Sequence, residues 1–169
     1  MSEFKTITPQ TFIGNPFTMI GTDWMLITAA KPDGKINSMT AAWGGMGIMW
    51  GLNVAYIVIR PQRFTKEFVD AADSFSLSFF DEHKEMLNYM GSVSGRDEDK
   101  IKKSGLTILK EGKTPYFSEA ELVMICKKLY AQPFQPECFV AKAIDAQCYP
   151  DHDYHTMYIA QVEKILVKD

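Results

Sequence analysis

Apolar and polar positions alternate along much of this chain, which is the pattern of half-buried β-strands. The clearest case is Phe75-Ser-Leu-Ser-Phe-Phe80, where the alternation holds until the last position. This pattern, with β-branched and aromatic content, predicts strands over residues 17–21, 24–29, 54–59, 75–80, 114–117, 120–130 and 154–167. These assignments make the chain mainly β.

Helical spacing of apolar positions interrupts the strands in three places. We predict helices over residues 67–72, 82–90 and 97–103, and Gly105 suits the C-terminal cap of the third helix. Many strands with inserted helices favour a barrel, because full closure removes exposed strand edges. The chain contains no repeat, low-complexity tract or linker, so we expect residues 1–169 to form a single domain.

Composition and charge narrow the possible functions. A hydrophobic share of 46% and a charged share of 23% are those of an ordinary soluble globular protein. The net charge of −3 and the lack of a basic run argue against a nucleic-acid surface. No apolar stretch has membrane-spanning length, and the N-terminus lacks a secretory core, so we expect no membrane segment. Three cysteines without CxxC spacing favour a reducing, cytoplasmic location.

One group of potential metal ligands occurs near the C-terminus. Cys148, His152 and His155 lie close together in the sequence, with Asp151 and Asp153 between them. Their spacing fits no usual zinc pattern, and a polar loop entering a strand explains them as well. We therefore predict no metal site.

Residues 37–47 form an unusual stretch of small side chains, hydroxyls and glycines, with one large aromatic residue, Trp43. The stretch lies between a turn signal at residues 32–35 and the strand predicted at residues 54–59, so it should lie on or leave a strand. Glycine in a strand marks a bulge or a close backbone approach. Two interpretations stay open: a flat, partly polar ligand lies against this backbone, or the strand bends at a barrel corner.

A basic turn follows the strand at residues 54–59. Residues 60–66 contain Arg60, Arg63, Thr65 and Lys66, and they lead into the first predicted helix. The N-terminus of a helix favours an anion, and arginine binds phosphate through two parallel hydrogen bonds. Alternatively, Thr65 is an ordinary N-cap and the arginines belong to a solvated loop.

Three motifs in this order resemble the flavoredoxin-type branch of the flavin reductase-like family. They are Asn37-Ser-Met-Thr-Ala-Ala-Trp-Gly-Gly45, Ile59-Arg-Pro-Gln-Arg-Phe-Thr65 and Gly91-Ser-Val-Ser-Gly-Arg-Asp-Glu-Asp-Lys100. The resemblance runs from about Thr18 to the C-terminus. It implies an FMN-binding split β-barrel with Greek-key connections, bound FMN, a homodimer, and electrons from NAD(P)H or a redox partner.

The resemblance also implies which residues bind FMN. They are Asn37, Ser38, Met39, Thr40, Ala41, Trp43, Arg60, Arg63, Thr65, Lys66, Ser92, Ser94, Gly95, Arg96 and Lys100. Some alternatives remain: Trp43 is a core or interface aromatic, Arg60 anchors the turn, and Lys100 forms a surface pair with Asp97. The third motif reaches the FMN of its own subunit or that of the partner.

His155 resembles a histidine near the start of the family's final strand, which implies a place beside the flavin or the substrate. The family's usual Gly-Glu in that strand reads Ala160-Gln161 here. We predict no catalytic acid, base or nucleophile, because flavin chemistry resides in the cofactor. The expected function is an NAD(P)H-dependent flavin reductase that passes hydride through FMN to a flavin or another acceptor. The alternatives are an FMN-containing electron carrier without a nicotinamide site and a non-catalytic flavin-binding module.

Overall fold

The computed structural model describes residues 4–169 and contains ten strands and five α-helices. The strands are β1 (Phe4–Ile7), β2 (Met25–Ala30), β3 (Ile36–Ala41), β4 (Gly44–Met49), β5 (Leu52–Ile59), β6 (Ser74–Phe79), β7 (Ile108–Glu111), β8 (Thr114–Phe117), β9 (Leu122–Pro133) and β10 (Thr156–Lys168). The helices are α1 (Pro16–Thr18), α2 (Phe64–Ala71), α3 (Lys84–Ser92), α4 (Lys100–Ser104) and α5 (Lys142–Cys148). None of the helices in this part of the chain has the length and apolar character needed to cross a membrane.

Eight strands form one antiparallel sheet, in the order β3-β2-β6-β9-β10-β5-β4, and β1 pairs with β10. The remaining strands, β7 and β8, form a separate hairpin. The mainly β, split-barrel prediction is confirmed. The expectation of full closure is wrong, because the sheet stays open between its end strands β3 and β4. These two strands follow each other in the chain and are joined by Ala42 and Trp43.

Strand β10 positions two segments that matter for the site. Along one edge it pairs with β9 over nearly its full length, and along the other it pairs with β5 and then with β1. Thr156 at its start lies opposite Ile59 at the end of β5. The preceding His155 and the following Arg60 therefore lie at the same end of the sheet.

The two faces of β6 show how the alternating pattern builds the core. Phe75, Leu77 and Phe79 are buried in a cluster enclosed by the sheet. The serines between them face the β7–β8 side, where Ser76 Oγ donates a hydrogen bond of 2.6 Å to the carbonyl of Pro115. A second cluster, which includes Leu87 of α3 and Phe117 of β8, fills that side. Small hydroxyl residues thus let the sheet pack closely against the hairpin.

The segment at residues 17–21 is helical, so its prediction as a strand is wrong. Asn15 caps the turn by accepting a 3.1 Å hydrogen bond from the backbone N–H of Phe17. Pro16 occupies the first helical position, where its fixed φ angle suits a helix. Helix α1 then continues into a π-helical turn, Met19–Asp23. The N-cap at Asn15 and the proline at the first position therefore favour helix here in spite of the strand-like composition.

Other boundaries differ by smaller amounts. Helix α4 begins at Lys100 rather than 97, because Asp99 is its N-cap and accepts a hydrogen bond from the N–H of Lys102. Gly105 has a φ of 78° and forms the C-cap, as predicted. Helix α5 was not predicted. It lies in the segment of residues 134–155 that connects β9 to β10.

One buried and one exposed phenylalanine, Phe75 and Phe17, provide a test of which residues form the core. Phe75→Ala should lower the free energy of unfolding by about 3–5 kcal/mol, because it removes a fully buried ring and leaves a cavity. Phe17, which is 87% exposed, is the matched control, and Phe17→Ala should change stability by less than about 0.5 kcal/mol. Urea denaturation followed by circular dichroism measures both. Equal losses would contradict the placement of the core.

Candidate functional site

Three adjoining cavities run along the end of the sheet where β3, β5 and β10 meet. The polar cavity, of about 160 Å³, is lined by Asn37, Met39, Gln62, Arg63, Phe64, Thr65, Ser92, Val93, Ser94, Gly95 and Lys100. The central cavity, of about 380 Å³, is lined by Met39, Thr40, Ala41, Ala42, Trp43, Val58, Arg60, Gln62, Arg63 and His155. The aromatic cavity, of about 530 Å³, is lined by Pro16, Phe17, Ile20, Gly21, Ala42, Trp43, Gly44, Gly45, Met46, Tyr56, Val58 and Phe134. The central cavity shares lining residues with each of the other two, so the three adjoin one another.

Two cations face the polar cavity, and both are held by carbonyl oxygens at the end of α3. The Arg63 guanidinium donates to Gly91 O at 3.0 Å. Lys100 Nζ donates to Met90 O at 2.7 Å and to Val93 O at 2.9 Å. Lys100 is only 4% exposed, so the alternative of a surface pair with Asp97 does not hold. Within residues 4–169, no carboxylate pairs with either cation.

Burial and neighbouring positive charges lower the pKa values of both cations. Burial lowers the pKa of the Arg63 guanidinium, and the charge of Arg60 lowers it further. Burial, reinforced by the charge of Arg63, lowers the pKa of Lys100 to about 8. A buried cation that repels its neighbour is stabilised when an anion enters between them. The polar cavity therefore favours a negatively charged ligand group.

A side-chain hydrogen bond between β3 and α2 lies in one wall of the polar cavity. The Asn37 amide donates to Thr65 Oγ1 at 2.9 Å, which leaves the hydroxyl proton of Thr65 available to a ligand. Thr65 is the second residue of α2, and Arg63 rather than Thr65 occupies the N-cap position. A Cβ atom on Gly95 would lie 2.3 Å from Asn37 Oδ1, so only glycine allows the loop after α3 to approach so closely.

Backbone donors complete this cavity. The N–H groups of Phe64 and Thr65 open α2, and those of Ser94 and Gly95 follow α3. None of the four has a hydrogen-bond acceptor in the described part of the chain. Free N–H groups at a helix start bind anions, which adds to the effect of the two cations.

The central cavity has a mixed lining, half polar and half apolar, with two aromatic rings on one wall. The rings of Trp43 and His155 pack with centroids 5.0 Å apart and an interplanar angle of 36°. Trp43 is 49% exposed, whereas His155 is buried and its Nδ1 lies 2.8 Å from the hydroxyl of Tyr149. Burial, reinforced by the charge of Arg60, lowers the pKa of His155 to about 4. The imidazole is therefore neutral at pH 7.

Arg60 borders the central cavity but its guanidinium is already occupied. It pairs with Asp153 and donates to the carbonyl of Cys148 at 2.9 Å. It also lies over the ring of Tyr149, 5.2 Å from the centroid. These contacts join the end of β5 to the segment that connects β9 to β10. They agree with the interpretation that Arg60 anchors its turn.

Three residues predicted at the site have side chains that line none of the three cavities. Lys66 Nζ pairs with Asp70 at 2.7 Å. Arg96 pairs with Glu67 at 2.6 Å, on the exposed surface of α2. Ser38 lies within the sheet, where its hydroxyl is 2.9 Å from that of Thr28.

The other predicted residues line the cavities. Among them, the hydroxyls of Ser92, Ser94 and Thr40 form hydrogen bonds within the protein. Ser92 Oγ donates to Asn88 O at 2.7 Å, and Ser94 Oγ accepts from the N–H of Arg96 at 3.2 Å. Thr40 donates to Leu87 O, which joins β3 to α3. Two residues at the site were not predicted. Gln62 lines two cavities, and no local pattern in the sequence indicates Tyr149.

The histidines and cysteines do not assemble into a metal site in the part of the chain that the structure describes. In residues 4–169, no group of three His, Cys, Asp or Glu side chains is placed to hold a metal ion. All three cysteines in this range are free thiols.

Comparison with solved structures identifies the fold. The chain is similar to an FMN-binding domain of a flavin reductases-like enzyme from Shewanella baltica OS155, with 16% identity over 98% of this chain and 78% of that chain and a TM-score of 0.69. It is similar to the flavoredoxin of Desulfovibrio vulgaris (Miyazaki F), with 21% identity over 86% and 69% and a TM-score of 0.67. An FMN-binding protein from Thermus thermophilus with bound p-hydroxybenzaldehyde has 19% identity over 95% and 80% and a TM-score of 0.66.

Comparison with families is more specific than these distant structural similarities. No functionally curated protein matches the chain. A family model described as the flavin reductase like domain matches residues 17–169. That range includes all three motifs and every residue that lines the three cavities except Pro16. Because the match spans most of the 169 residues, the chain belongs to the flavin reductase-like family.

Proposed function

We propose that the protein binds FMN across the polar and central cavities and works as an FMN-dependent oxidoreductase. The observation that carries this proposal is the pair of cations, buried Lys100 and half-buried Arg63, which face one cavity without a carboxylate partner in residues 4–169. The FMN phosphate is a dianion, and it fits a site lined by two cations, a free hydroxyl proton and backbone N–H groups. The FMN-binding proteins among the structural neighbours support the same cofactor.

The central cavity fits the other end of the cofactor. Its aromatic wall, Trp43 and His155, and its apolar residues Met39 and Val58 suit a flat ring system with polar edges. Bound FMN supplies hydride and electron transfer, while the protein supplies position, electrostatics and exclusion of water. In this chain, Arg63, Thr65 and Lys100 hold the charged end, and Trp43 and His155 border the ring.

The electron donor that we propose is NADH or NADPH, and the acceptor is a flavin or another small oxidant. Family membership supports this choice. A 2-nitrobenzoate 2-nitroreductase from Pseudomonas fluorescens is also among the similar structures, with 13% identity and a TM-score of 0.65. Purified yellow protein should lose its flavin absorbance within seconds of anaerobic mixing with NADH or NADPH. Stopped-flow spectroscopy measures this change.

A second candidate function is an FMN-containing electron carrier that a partner protein reduces. One observation favours it: the residues that line the aromatic cavity include no Lys, Arg or His. That cavity therefore offers no cation for the pyrophosphate of a nicotinamide dinucleotide. Yellow protein that keeps its absorbance with both nucleotides, but is bleached by a chemical reductant, would favour the carrier over the reductase.

Arg63→Ala should weaken FMN binding about ten- to a hundredfold. A hydrogen bond to a charged group contributes about 1.5–3 kcal/mol, which corresponds to that factor. Riboflavin lacks the phosphate and should bind the variant and the parent equally. Lys66→Ala is the matched control, because Lys66 pairs with Asp70 outside the cavities, and its FMN affinity should not change. Fluorescence titrations with both flavins measure these constants, and equal losses for FMN and riboflavin would remove Arg63 from the phosphate site.

FMN affinity should be highest between about pH 6 and pH 8. Lys100 has a pKa of about 8 in the free protein, so above that pH binding takes up a proton and the Kd rises by up to roughly tenfold per pH unit. Below about pH 6 the phosphate loses its second negative charge. Titrations from pH 5 to pH 10 test this dependence.

The variant Lys100→Met is the control for the alkaline limb of this pH profile. Its FMN affinity should be lower at pH 7 and should no longer fall as the pH rises from 8 to 9. Riboflavin affinity should show no alkaline limb in the parent. An alkaline limb that persists in Lys100→Met would assign the titration to another group.

We further propose a homodimer in a reducing, cytoplasmic setting, which the free thiols support. Exposed apolar side chains cluster at the β4–β5 hairpin, where Ile48 is 70% and Trp50 is 60% exposed. Trp50 also packs against Tyr130 of β9, with ring centroids 6.3 Å apart. A patch of this kind on a small protein marks an interaction surface.

Ile48→Asp should therefore convert the dimer to a monomer, because a carboxylate in the patch has no partner when the surface is covered. Ile144→Asp is the control, since Ile144 is 51% exposed on α5, away from the hairpin. Light scattering at micromolar concentration measures both masses. A monomeric parent would contradict the homodimer, and a dimeric Ile48→Asp variant would contradict this interface.

A further inference from the structure

Tyr149 occupies a fixed position beside the central cavity although it does not line it. It follows the last residue of α5 and is 3% exposed. Its ring packs against Phe139 and Tyr154, with centroids 5.8 and 4.9 Å away, and the guanidinium of Arg60 lies over it. Its hydroxyl reaches Nδ1 of His155 at 2.8 Å. The aromatic cluster and Arg60 thus hold one hydroxyl against one nitrogen of the only histidine at the site.

The direction of this hydrogen bond follows from the partners that are available. The Tyr149 hydroxyl has no other acceptor in residues 4–169, so its proton is satisfied only by donation to Nδ1. The reverse arrangement, with Nδ1–H donating to the phenol oxygen, would leave a buried hydroxyl proton without an acceptor. Nδ1 is therefore the unprotonated nitrogen of His155.

A neutral imidazole that accepts at Nδ1 carries its proton on Nε2. Nε2 makes no hydrogen bond within the described residues, and it is not among their fully buried unpaired atoms. Because His155 lines the central cavity, this N–H is open to a ligand there. The charged groups around His155 are Arg60 at the end of β5, Arg63 at the start of α2 and Asp153 in the preceding loop. Burial, reinforced by the excess of positive charge, keeps the ring neutral.

We propose that Tyr149 is a positioning residue that fixes the Nε2–H tautomer of His155, which thereby presents a hydrogen-bond donor to an acceptor atom of the ligand in the central cavity. The role toward FMN rests on the proposed function, since the flavin ring carries carbonyl oxygens and unprotonated nitrogens. The tautomer itself does not depend on any ligand. The same donor disfavours ligands that would place an N–H group at this point.

Nitrogen NMR of the protein with 15N-labelled histidine tests the tautomer without flavin. The chain has three histidines, so His155→Gln assigns the signals by loss. In the parent at pH 7, Nδ1 of His155 should be pyridine-like and Nε2 pyrrole-like. In Tyr149→Phe, which retains the ring but lacks the hydroxyl, the two shifts should move toward each other as the second tautomer becomes populated. The titration midpoint of His155 should also rise, because the donor to its neutral form is lost.

A pyridine-like Nε2 in the parent would overturn the proposal even if Tyr149→Phe did not fold. Unchanged histidine shifts in a folded Tyr149→Phe would overturn it as well. His83 and His152 serve as internal controls, since neither imidazole ring forms a hydrogen bond with Tyr149 and both sets of ring signals should stay in place. His152 contacts Tyr149 only through its backbone N–H, which donates to the Tyr149 carbonyl at 3.1 Å, a bond that Tyr149→Phe retains.

Flavin titrations test the role of the donor. Tyr149→Phe should bind FMN about two- to tenfold more weakly, the factor expected for one hydrogen bond. His155→Gln places an amide N–H near the position of Nε2 and should keep more affinity than His155→Asn, whose amide matches Nδ1. Equal affinities for Gln and Asn, or parental affinity in Tyr149→Phe, would remove the donor role. A parent that binds no FMN would overturn the proposed function instead, while the NMR result would still decide the tautomer.

Discussion

Lys100, which is buried, and Arg63, which is half-buried, lie close together at the end of α3, and much of the site depends on how their charges are accommodated. Backbone carbonyls at the end of that helix accept hydrogen bonds from both cations, which positions them but does not neutralise them. Carbonyl dipoles at a helix C-terminus stabilise positive charge without a carboxylate. The cations therefore keep a net attraction for an anion, while their positions are fixed before it arrives.

The rest of the polar cavity follows from the need to approach these cations closely. Gly95 lets the loop after α3 contact Asn37, and Asn37 in turn orients the Thr65 hydroxyl. Pairing of β5 with β10 places Arg60 and His155 at the same end of the sheet. The Arg60–Asp153 pair then holds the segment between β9 and β10, which contains Tyr149, against the end of β5. One cation-lined end and one aromatic end are thus built from segments far apart in the chain.

The sequence predicted which segments meet and most of the residues at the cavities, but it did not separate these from neighbours that point elsewhere. Successive helical residues point about 100° apart, so Thr65 faces Asn37 while Lys66 points toward Asp70. Strand alternation likewise turns Ser38 away from the surface that Asn37 and Met39 present. The family resemblance assigned whole motifs to the site. Within each motif, the geometry of the helix or strand decides which side chains face the cavities and which point away.

Other features had no local signal in the sequence. Tyr149 becomes important only through tertiary packing, because the fold brings it to His155 and Arg60. The open sheet also depends on long-range pairing, which places consecutive strands β3 and β4 at opposite ends of the order. Residues 17–21 show the converse case, in which a local cap at Asn15 outweighs a strand-like composition.

A crystal structure of the protein with FMN tests the central claim most directly, because it locates the phosphate. Phosphate oxygens should lie within about 3 Å of the Arg63 guanidinium, the Thr65 hydroxyl and Lys100 Nζ, with the ring against Trp43 and His155. A phosphate bound outside the polar cavity, or a ring inserted between Arg63 and Lys100, would contradict the assignment of these two cations.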